Sequence, residues 1–359
     1  MKARQGKQLG GRFLLFTVYE VGQEVVGDAK TVSREAVELL LGLRTKFCDS
    51  HSWDDSIKTH LRQGNHRYDS AKSTGILMNK TNATLLLTFF LLAVPGQAEK
   101  PRAPLECRSV PGLNPSPTPG SVLLLGELHG NNEAPAFTAN TACLALQAGQ
   151  RVRAGLEIPH EETERVEAFL NSNGTEKDFE ALYGGWFWKN SAKDGRTSQA
   201  MAKLIDDLRK FRQGGHSVTV TLFDSQVHGR TRDHDMAQRL IESIKANPDD
   251  VFIILTGNIH SRIAIGTPWD DKFEPMGLYI QRALPERSLL SLDYSWAAGT
   301  SWNCRPSEGC GAFEVRARGE GDDWRVEIAD PTQPGKNGHH GFYHVGPITA
   351  SEPVFNDSE

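Results

Sequence analysis

Several signatures of common enzyme and metal-binding classes are absent from residues 99–359. This region has no Cys-x-x-Cys pair of the kind that binds zinc, no Gly-x-Ser-x-Gly motif of serine α/β-hydrolases, and no glycine-rich loop that binds nucleotide phosphates. The segment from His160 to Glu164 begins like the zincin motif, but Glu164 stands where the second histidine is required. The sequence therefore disfavours these classes, and we interpret His160 to Glu164 as the start of a helix.

Basic clusters and membrane-spanning runs are lacking as well. The formal net charge is −5 at pH 7, and residues 99–359 contain no extended cluster of Lys and Arg. Because proteins bind nucleic acid mainly through such clusters, we expect no nucleic-acid partner. The apolar run of residues 83–94 stops at Pro95 and is shorter than the roughly 20 residues that a spanning helix needs.

The apolar run instead has the parts of a secretory signal peptide, residues 78–98. Met78 and Lys80 precede it, and small residues follow Pro95 up to a cleavage site after Ala98. A membrane anchor or a core helix is the alternative. We expect an exported protein, periplasmic or secreted, with no stable membrane span after cleavage. Residues 1–77 are then translated upstream sequence without a fold, or else a genuine amino-terminal extension.

Four cysteines remain after residue 98, and an even number in an exported protein favours disulfide bonds. Cys304 and Cys310 flank a short turn-rich loop, so we expect these two to pair. The other predicted pair is then Cys107 with Cys143.

The remaining chain suits one α/β domain at residues 121–345, between a proline-rich lead-in at 99–120 and a tail at 346–359. Apolar runs alternate with helical patterns and predict a mostly parallel central sheet flanked by helices. The predicted buried strands are Val122 to Leu125, Val152 to Ile158, Val218 to Phe223 and Val251 to Leu255. From Leu278 onward short strands are expected, as an extension of the sheet or a carboxy-terminal hairpin.

Two aromatic or histidine-rich segments have open interpretations. Trp186, Phe187 and Trp188 are either core side chains or part of a lid over a ligand. The segment from His339 to His344 is expected to be solvated and flexible because glycines surround it, although its histidines and Tyr343 are also candidate ligands of a metal or haem iron.

Residues of catalytic types follow the predicted strands. Glu127 and His129 follow the first, Glu157 lies near the end of the second, Asp224 ends the third and His260 follows the fourth. In a parallel sheet these ends lie on the same edge, where ligands of α/β proteins bind. A strand-end Asp often only caps a turn, so Asp224 has that alternative.

Five short motifs in the same order resemble the superfamily of erythromycin esterases, ChaN-like haem-uptake proteins and Tiki metalloproteases. They are Gly126-Glu-Leu-His-Gly130, Leu156-Glu157, Phe223-Asp-Ser-Gln226, Arg232-Asp-His-Asp-Met-Ala237 and Gly257-Asn-Ile-His260. The Glu-x-His motif and the Gly266-Thr-Pro268 segment are closer to ChaN, whereas the segments around residues 186–209, 224–226 and 232–237 look esterase-like. ChaN proteins are lipoproteins, but no cysteine follows this signal peptide.

The resemblance implies a hydrolase that acts on a small-molecule or peptide substrate. His129, oriented by Glu127 or Glu157, would take a proton from water, and His260 and Arg232 would stabilise the oxyanion. In the Tiki-like version Glu127, His129, Glu157 and His260 instead hold a divalent metal. A protein that binds haem or a metal without turnover is the alternative function. The sequence does not separate these chemistries.

Overall fold

The computed structural model describes residues 102–355 apart from 114–116, 191–193, 226–228 and 230. The chain divides into residues 1–96 and 97–359, and every described residue belongs to the second unit. The predicted upstream extension and signal peptide therefore lie outside the described residues. In the described part, no helix combines the length and apolar character needed to cross a membrane.

The described secondary structure alternates strands and helices up to residue 295 and contains only strands after it. The strands are β1 (Val122–Glu127), β2 (Val152–Pro159), β3 (Val218–Asp224), β4 (Val251–Gly257), β5 (Leu289–Ser295), β6 (Gly299–Arg305), β7 (Gly309–Val315), β8 (Arg325–Ile328) and β9 (Gly341–His344). The helices are α1 (Glu133–Gln147), α2 (Thr163–Leu170), α3 (Glu176–Tyr183), α4 (Trp186–Asn190), α5 (Gln199–Gln213), α6 (Arg232–Ala246) and α7 (Met276–Ala283).

Seven strands form one sheet in the order β3-β2-β4-β1-β5-β9-β8. All neighbouring pairs are parallel except β8 with β9, and β6 and β7 form a separate antiparallel hairpin. The predicted α/β fold with a mostly parallel sheet is confirmed. The carboxy-terminal strands were expected to extend the sheet or to form a hairpin. Both occur: β5, β8 and β9 extend the sheet, and β6 and β7 form a hairpin.

The two faces of the sheet pack against different helices because side chains alternate along each strand. In β1, Leu123 and Leu125 belong to the core cluster on the side of α1, α2 and α5, whereas Val122 and Leu124 belong to the cluster that contains α6 and α7. β4 alternates in the same way. β1 is followed by a helix on one face and its neighbour β4 by a helix on the other, so the carboxyl ends of these two strands form a topological switch point, where α/β proteins commonly bind ligands.

Several local expectations were wrong. Leu278 to Ala283, expected as a strand, lies within α7, because its apolar residues face the α6 side of the sheet at helical spacing. The segment from His339 to His344 is not a solvated tail, since β9 pairs with β5, and His344 together with His339 and His340 just before the strand is buried. Of the two interpretations left open for residues 186–188, the core one holds for Phe187 and Trp188, which are buried in α4, whereas Trp186 is 52% exposed.

Both predicted disulfides are present. Cys107 joins the lead-in to α1 through Cys143, and Cys304 pairs with Cys310 across the β6–β7 hairpin. Beyond β9, Ile348 and Ser351 are buried, and the backbone N–H of Ser351 donates to the carbonyl of Gly130 in the loop after β1. The segment after the sheet thus supports the loop that carries His129.

Candidate active site

The sheet brings Glu127, His129, Glu157 and His260 to one place, the carboxyl edge of β1, β2 and β4. Glu127 ends β1 and pairs in register with Gly257, which ends β4. The backbone N–H of Asn258 donates to the carbonyl of Glu127 at 3.0 Å, so the two loops that leave these strands stay together. The geometry of the site follows from this junction.

Glu127 and His129 form a close pair. The buried Glu127 carboxylate places Oε1 2.8 Å from Nδ1 of His129, while Nε2 of His129 is 3.8 Å from Oε1 of Glu157. Burial by itself lowers the pKa of His129, but attraction and the hydrogen bond from Glu127, helped by Glu157 and Asp194, raise that pKa to about 9. His129 is therefore mostly protonated at neutral pH when the site is empty.

Glu157 accepts three hydrogen bonds from protein groups. Its Oε2 accepts hydrogen bonds from the Thr256 hydroxyl at 2.6 Å and the Gly257 backbone N–H at 2.7 Å, and its Oε1 accepts from Arg232 Nη2 at 2.8 Å. Burial alone would raise the pKa of Glu157, but the histidines and arginines around it hold that pKa well below its ordinary value. Glu157 is therefore a permanent anion at the floor of the site.

Two arginines, Arg196 and Arg232, form ion pairs with the carboxylates of the site. Arg232, at the start of α6, contacts Glu157 and also donates from Nε to Asp224 at 3.0 Å. Arg196 donates from Nη1 to the other oxygen of Asp224 at 2.7 Å and binds Asp194 through Nε and Nη2. Asp224 thus joins the site as the link between two guanidinium groups rather than as a turn cap alone.

His260 has a defined tautomer because of its neighbours. Its Nε2 lies 2.9 Å from Nη1 of Arg232, and a guanidinium can only donate, so Nε2 accepts that bond. Nδ1 then carries the proton and donates to the buried carboxylate of Asp233 at 2.8 Å. Asp233 also accepts from the backbone N–H of Met276. His260 is therefore held in place between the Asp233 carboxylate and the Arg232 guanidinium.

The site is layered by charge. The side chains of His129, Arg196, Arg232 and His260 are 18–21% exposed, whereas those of the four carboxylates behind them are 2–4% exposed. Nitrogen atoms therefore face the solvent. Between His129 and His260 the backbone approaches closely at Gly257, where an added Cβ would lie 3.3 Å from Nε2 of His129 and 3.3 Å from Cδ2 of His260. A side chain there would occupy the space beside the free His129 nitrogen.

The four expected metal ligands do not fit a divalent cation in this arrangement. Both oxygens of Glu157 and both ring nitrogens of His260 are bonded to protein groups, and Nδ1 of His129 is bonded to Glu127. The two guanidinium groups would also repel a cation. Within the described ranges, no group of three or more His, Cys, Asp and Glu side chains is placed to hold a metal ion.

The sequence analysis did not predict three residues that contact the site: Arg196, Asp233 and Thr256. Arg196 and Asp233 do not follow a strand, so strand-end position does not reveal them. One signal was available: three buried carboxylates need more positive charge than Arg232 alone supplies. That imbalance predicts a second cation but does not say which arginine provides it.

His339, His340 and His344, at and just before β9, are hydrogen-bonded to neighbouring strands and loops. His339 contacts the Ser261 hydroxyl, Nδ1 of His340 accepts the Ser291 backbone N–H at 3.0 Å, and His344 contacts Ser295 and Gly321. The Tyr343 hydroxyl donates to the carbonyl of Gly126. These side chains hold β9 and its neighbours together, so the structure does not support them as haem ligands.

Comparisons with known proteins find similar structures but no similar sequences. No family model matches the sequence, and no curated protein matches it by sequence. A mutant of the erythromycin esterase EreC in its open conformation superposes with a TM-score of 0.50 at 12% identity, over 66% of this chain and 93% of that one. A succinoglycan biosynthesis protein (TM-score 0.47, 7% identity, 65% and 89%) and haem-binding ChaN of Campylobacter jejuni (0.30, 13%, 48% and 81%) are more distant. At these identities the esterase comparison establishes a common fold, the one that the sequence motifs predicted.

Proposed function

We propose that this protein is an exported hydrolase that uses His129 to activate water without a metal ion. The observation that carries the proposal is the geometry of His129. Its Nδ1 is held by a buried carboxylate, its Nε2 makes no hydrogen bond with any described residue and lies 3.8 Å from Oε1 of Glu157, and its side chain is 21% exposed. A carboxylate that fixes the tautomer and leaves Nε2 open is the arrangement that general-base histidines use.

Arg232 supports the second half of the reaction, stabilisation of the oxyanion. Each Nη atom carries two hydrogens, and only one of those on Nη1 is directed to His260. Charges on both sides of the guanidinium hold it in place, and its partly exposed face has an N–H left for a substrate oxygen. His260 accepts from Arg232 and so positions this group; it has no proton on Nε2 to donate to an oxyanion itself.

The reacting bond is that of a neutral group, such as a carboxylic ester or an amide. Glu127, Glu157, Asp224 and Asp233 outnumber the cations Arg196, Arg232 and protonated His129, so the site does not attract an anion to the reacting atom. A neutral carbonyl becomes negative only in the transition state. The preorganised guanidinium then stabilises the transition state more than the ground state.

Export is part of the proposal. It is supported by the signal-like residues 78–98 and by two disulfides, which form and persist in oxidising compartments. The alternative, a haem-binding protein without turnover, is less well supported. His339, His340 and His344, its candidate haem ligands, are buried and hydrogen-bonded within the protein.

The test is hydrolysis of a panel of neutral 4-nitrophenyl and alkyl esters by the purified protein, with metal analysis of the same sample. His129→Asn should reduce the rate about 10²- to 10⁴-fold, the usual loss when acid–base assistance is removed, while circular dichroism stays unchanged. His234→Asn is the matched control, since His234 lies on α6 with a half-exposed side chain. Stoichiometric Zn, Mn or Co that disappears in both His129→Ala and Glu157→Ala would overturn the metal-free mechanism.

A further inference from the structure

A second concave region adjoins the loop that carries His260. It is a cleft of about 720 Å³ between the β4–α7 connection and the segment before β9. Its lining includes Ile259, Arg262, Ile265, Trp269, Arg318 and Lys336. Volumes of roughly 300–1,000 Å³ are those of clefts that hold small molecules. None of these residues belongs to the catalytic cluster described above.

The loop after β4 faces both regions. Gly257 and His260 contact the catalytic cluster, while Asn258, Ile259 and Arg262 line the cleft. A molecule seated in the cleft therefore lies against the backbone that also positions His260. The cleft and the catalytic cluster therefore share the loop that follows β4.

Apolar groups lie exposed along the rim of this cleft. Trp269 is 73% exposed and Ile265 is 52% exposed, although most large apolar side chains of the described chain are buried. Both belong to the short connection between β4 and α7, whose turn is held by the Thr267 backbone N–H donating to the carbonyl of Asp270. An indole and an aliphatic side chain on one rim favour a flat apolar group, which stacks on the indole and covers the aliphatic surface.

Arg262 brings a guanidinium group to the cleft, and only some of the hydrogen bonds of this group are made within the protein. Its Nη1 donates to the carbonyl of Asn337, but its Nε is buried and has no hydrogen-bond partner among the described residues. Burial lowers the pKa of this guanidinium, and attraction to Asp293 offsets only part of that effect. Because Arg262 also lines the cleft, its guanidinium provides a positive charge beside an anion bound there, while its buried Nε is enclosed by protein atoms.

The charge of the cleft also favours an anion. Asp293 is already bonded to Arg318 at 2.9 Å and to Asn337 at 3.3 Å, so these charges are compensated within the protein. Arg262 and Lys336 then face a single further carboxylate, that of the exposed Asp271. The charged side chains that line the cleft therefore carry a net charge of one positive unit.

We propose that this cleft binds the substrate of the hydrolytic site through an aromatic group that carries a carboxylate, with the ring against Trp269 and Ile265 and the carboxylate near Arg262 and Lys336. The assignment of the bound group as part of a substrate rests on the proposed function. Binding of the group itself does not.

The test is isothermal titration of the purified protein with three probes: 2-naphthoate, its neutral counterpart 2-naphthylmethanol, and cyclohexanecarboxylate. We expect 2-naphthoate to bind at least about tenfold more tightly than either of the others, because each lacks one of the two recognised features. Trp269→Ala and Lys336→Ala, both at exposed positions, should each weaken 2-naphthoate measurably, and Arg262→Met should weaken it about tenfold or more.

Trp186→Ala is the matched control, because Trp186 is also an exposed tryptophan but lies on α4 outside the cleft. It should leave the affinity for 2-naphthoate unchanged. Equal binding of all three probes, no binding at millimolar concentration, or full affinity in Trp269→Ala would overturn the assignment.

A second measurement separates this inference from the proposed hydrolase. His129→Asn should bind 2-naphthoate like the wild type while it loses ester hydrolysis. Binding without hydrolysis in the wild type would remove the proposed function and leave the cleft as a carboxylate site. Hydrolysis of small neutral esters that Trp269→Ala and Arg262→Met leave unaffected, together with no binding of 2-naphthoate, would remove the cleft alone.

Discussion

His129 and His339 lie on opposite sides of the loop that follows β4, and the protein gives them opposite protonation states. His129 sits beside Gly257 and has the carboxylates of Glu127 and Glu157 as neighbours, which raise its pKa to about 9 against the effect of burial. His339 contacts Ser261 in the same loop, and burial together with Arg262 lowers its pKa to about 4 although Asp293 opposes this. The same residue type at nearly the same place in the fold is therefore a cation in one case and a neutral group in the other.

The difference shows how a site is told from a structural contact. Burial acts on both rings in the same direction, so the neighbouring charges decide the outcome. The side chain of His129 is 21% exposed and one of its nitrogens is free, whereas His339 is fully buried with both nitrogens within hydrogen-bond distance of protein atoms. A histidine that is charged, open and anchored by a carboxylate is suited to exchange protons, and a neutral enclosed one is suited to hold strands together.

The largest difference in the free energy of unfolding should be between a variant that removes the charge of Glu157, beside His129, and a variant that replaces His339. Glu157→Gln removes one of the two carboxylates that Arg232 and Arg196 share, the other being Asp224, and breaking a buried ion pair costs about 3–5 kcal/mol. His339→Gln removes neutral hydrogen bonds and should cost only about 1–2 kcal/mol. Urea denaturation of both variants at pH 7 measures the free energies of unfolding. Equal losses would mean that charge does not distinguish the two sides of the loop.

The two histidines should limit stability on opposite sides of about pH 6.5. His129 has a folded pKa raised from 6.5 to about 9, so its stabilisation is complete below pH 6.5 and is lost as the pH rises through 9. His339 has a folded pKa lowered to about 4, so its contribution is present above pH 6.5 and is lost as the pH falls through 4. Each shift corresponds to about 3 kcal/mol.

Denaturation midpoints measured from pH 4 to pH 9.5 check this prediction. His129→Asn should flatten the alkaline limb only, and His339→Asn should flatten the acid limb only. A wild-type curve that is flat between pH 6.5 and 9 would contradict the raised pKa of His129.

Catalysis should depend on pH in the direction opposite to stability. A general base must be neutral, so with a pKa of about 9 for His129 kcat/KM should rise about hundredfold from pH 7 to a plateau above about pH 10. Glu127→Gln removes the main cause of the raised pKa, and the midpoint of the profile should move to lower pH. A kcat/KM that falls through pH 9 would instead identify the protonated form of His129 as the active one.

The smallest expected effect concerns Asp233, which orients His260. Asp233→Asn weakens the acceptor of Nδ1 and loosens Arg232, so kcat should fall about tenfold with little change in KM, since the lost interaction acts in the transition state. Ser261→Ala is the control on the His339 side of the same loop, and its kcat should stay within about twofold of wild type. A change in KM alone for Asp233→Asn would exclude the positioning role.

Much of this arrangement was accessible from the sequence. The apolar runs of β1 and β4 are continuous because both faces of a central parallel strand are buried, and that pattern does not depend on distant residues. Once the strands are recognised, the parallel sheet brings Glu127, Glu157 and His260 to one edge. The disulfide between Cys304 and Cys310 followed from local spacing in the same way.

Other features depend on contacts between segments that are far apart in the chain. The helical state of Leu278 to Ala283 and the strand state of Gly341 to His344 are decided by packing, because segments of six and four residues have no clear local preference. Arg196 enters the site from a loop, where no periodicity marks its direction.

The sequence alone determined which residues of catalytic type lie at the carboxyl edge of the sheet, since side-chain alternation and parallel pairing require only local pattern. Only the tertiary structure decided what each of them does. The proton on His260 is placed by Arg232 and Asp233, and the charge on His129 by Glu127 and Glu157. Protonation and hydrogen-bond direction depend on distances of a few ångström between residues far apart in the chain, and those distances exist only after folding.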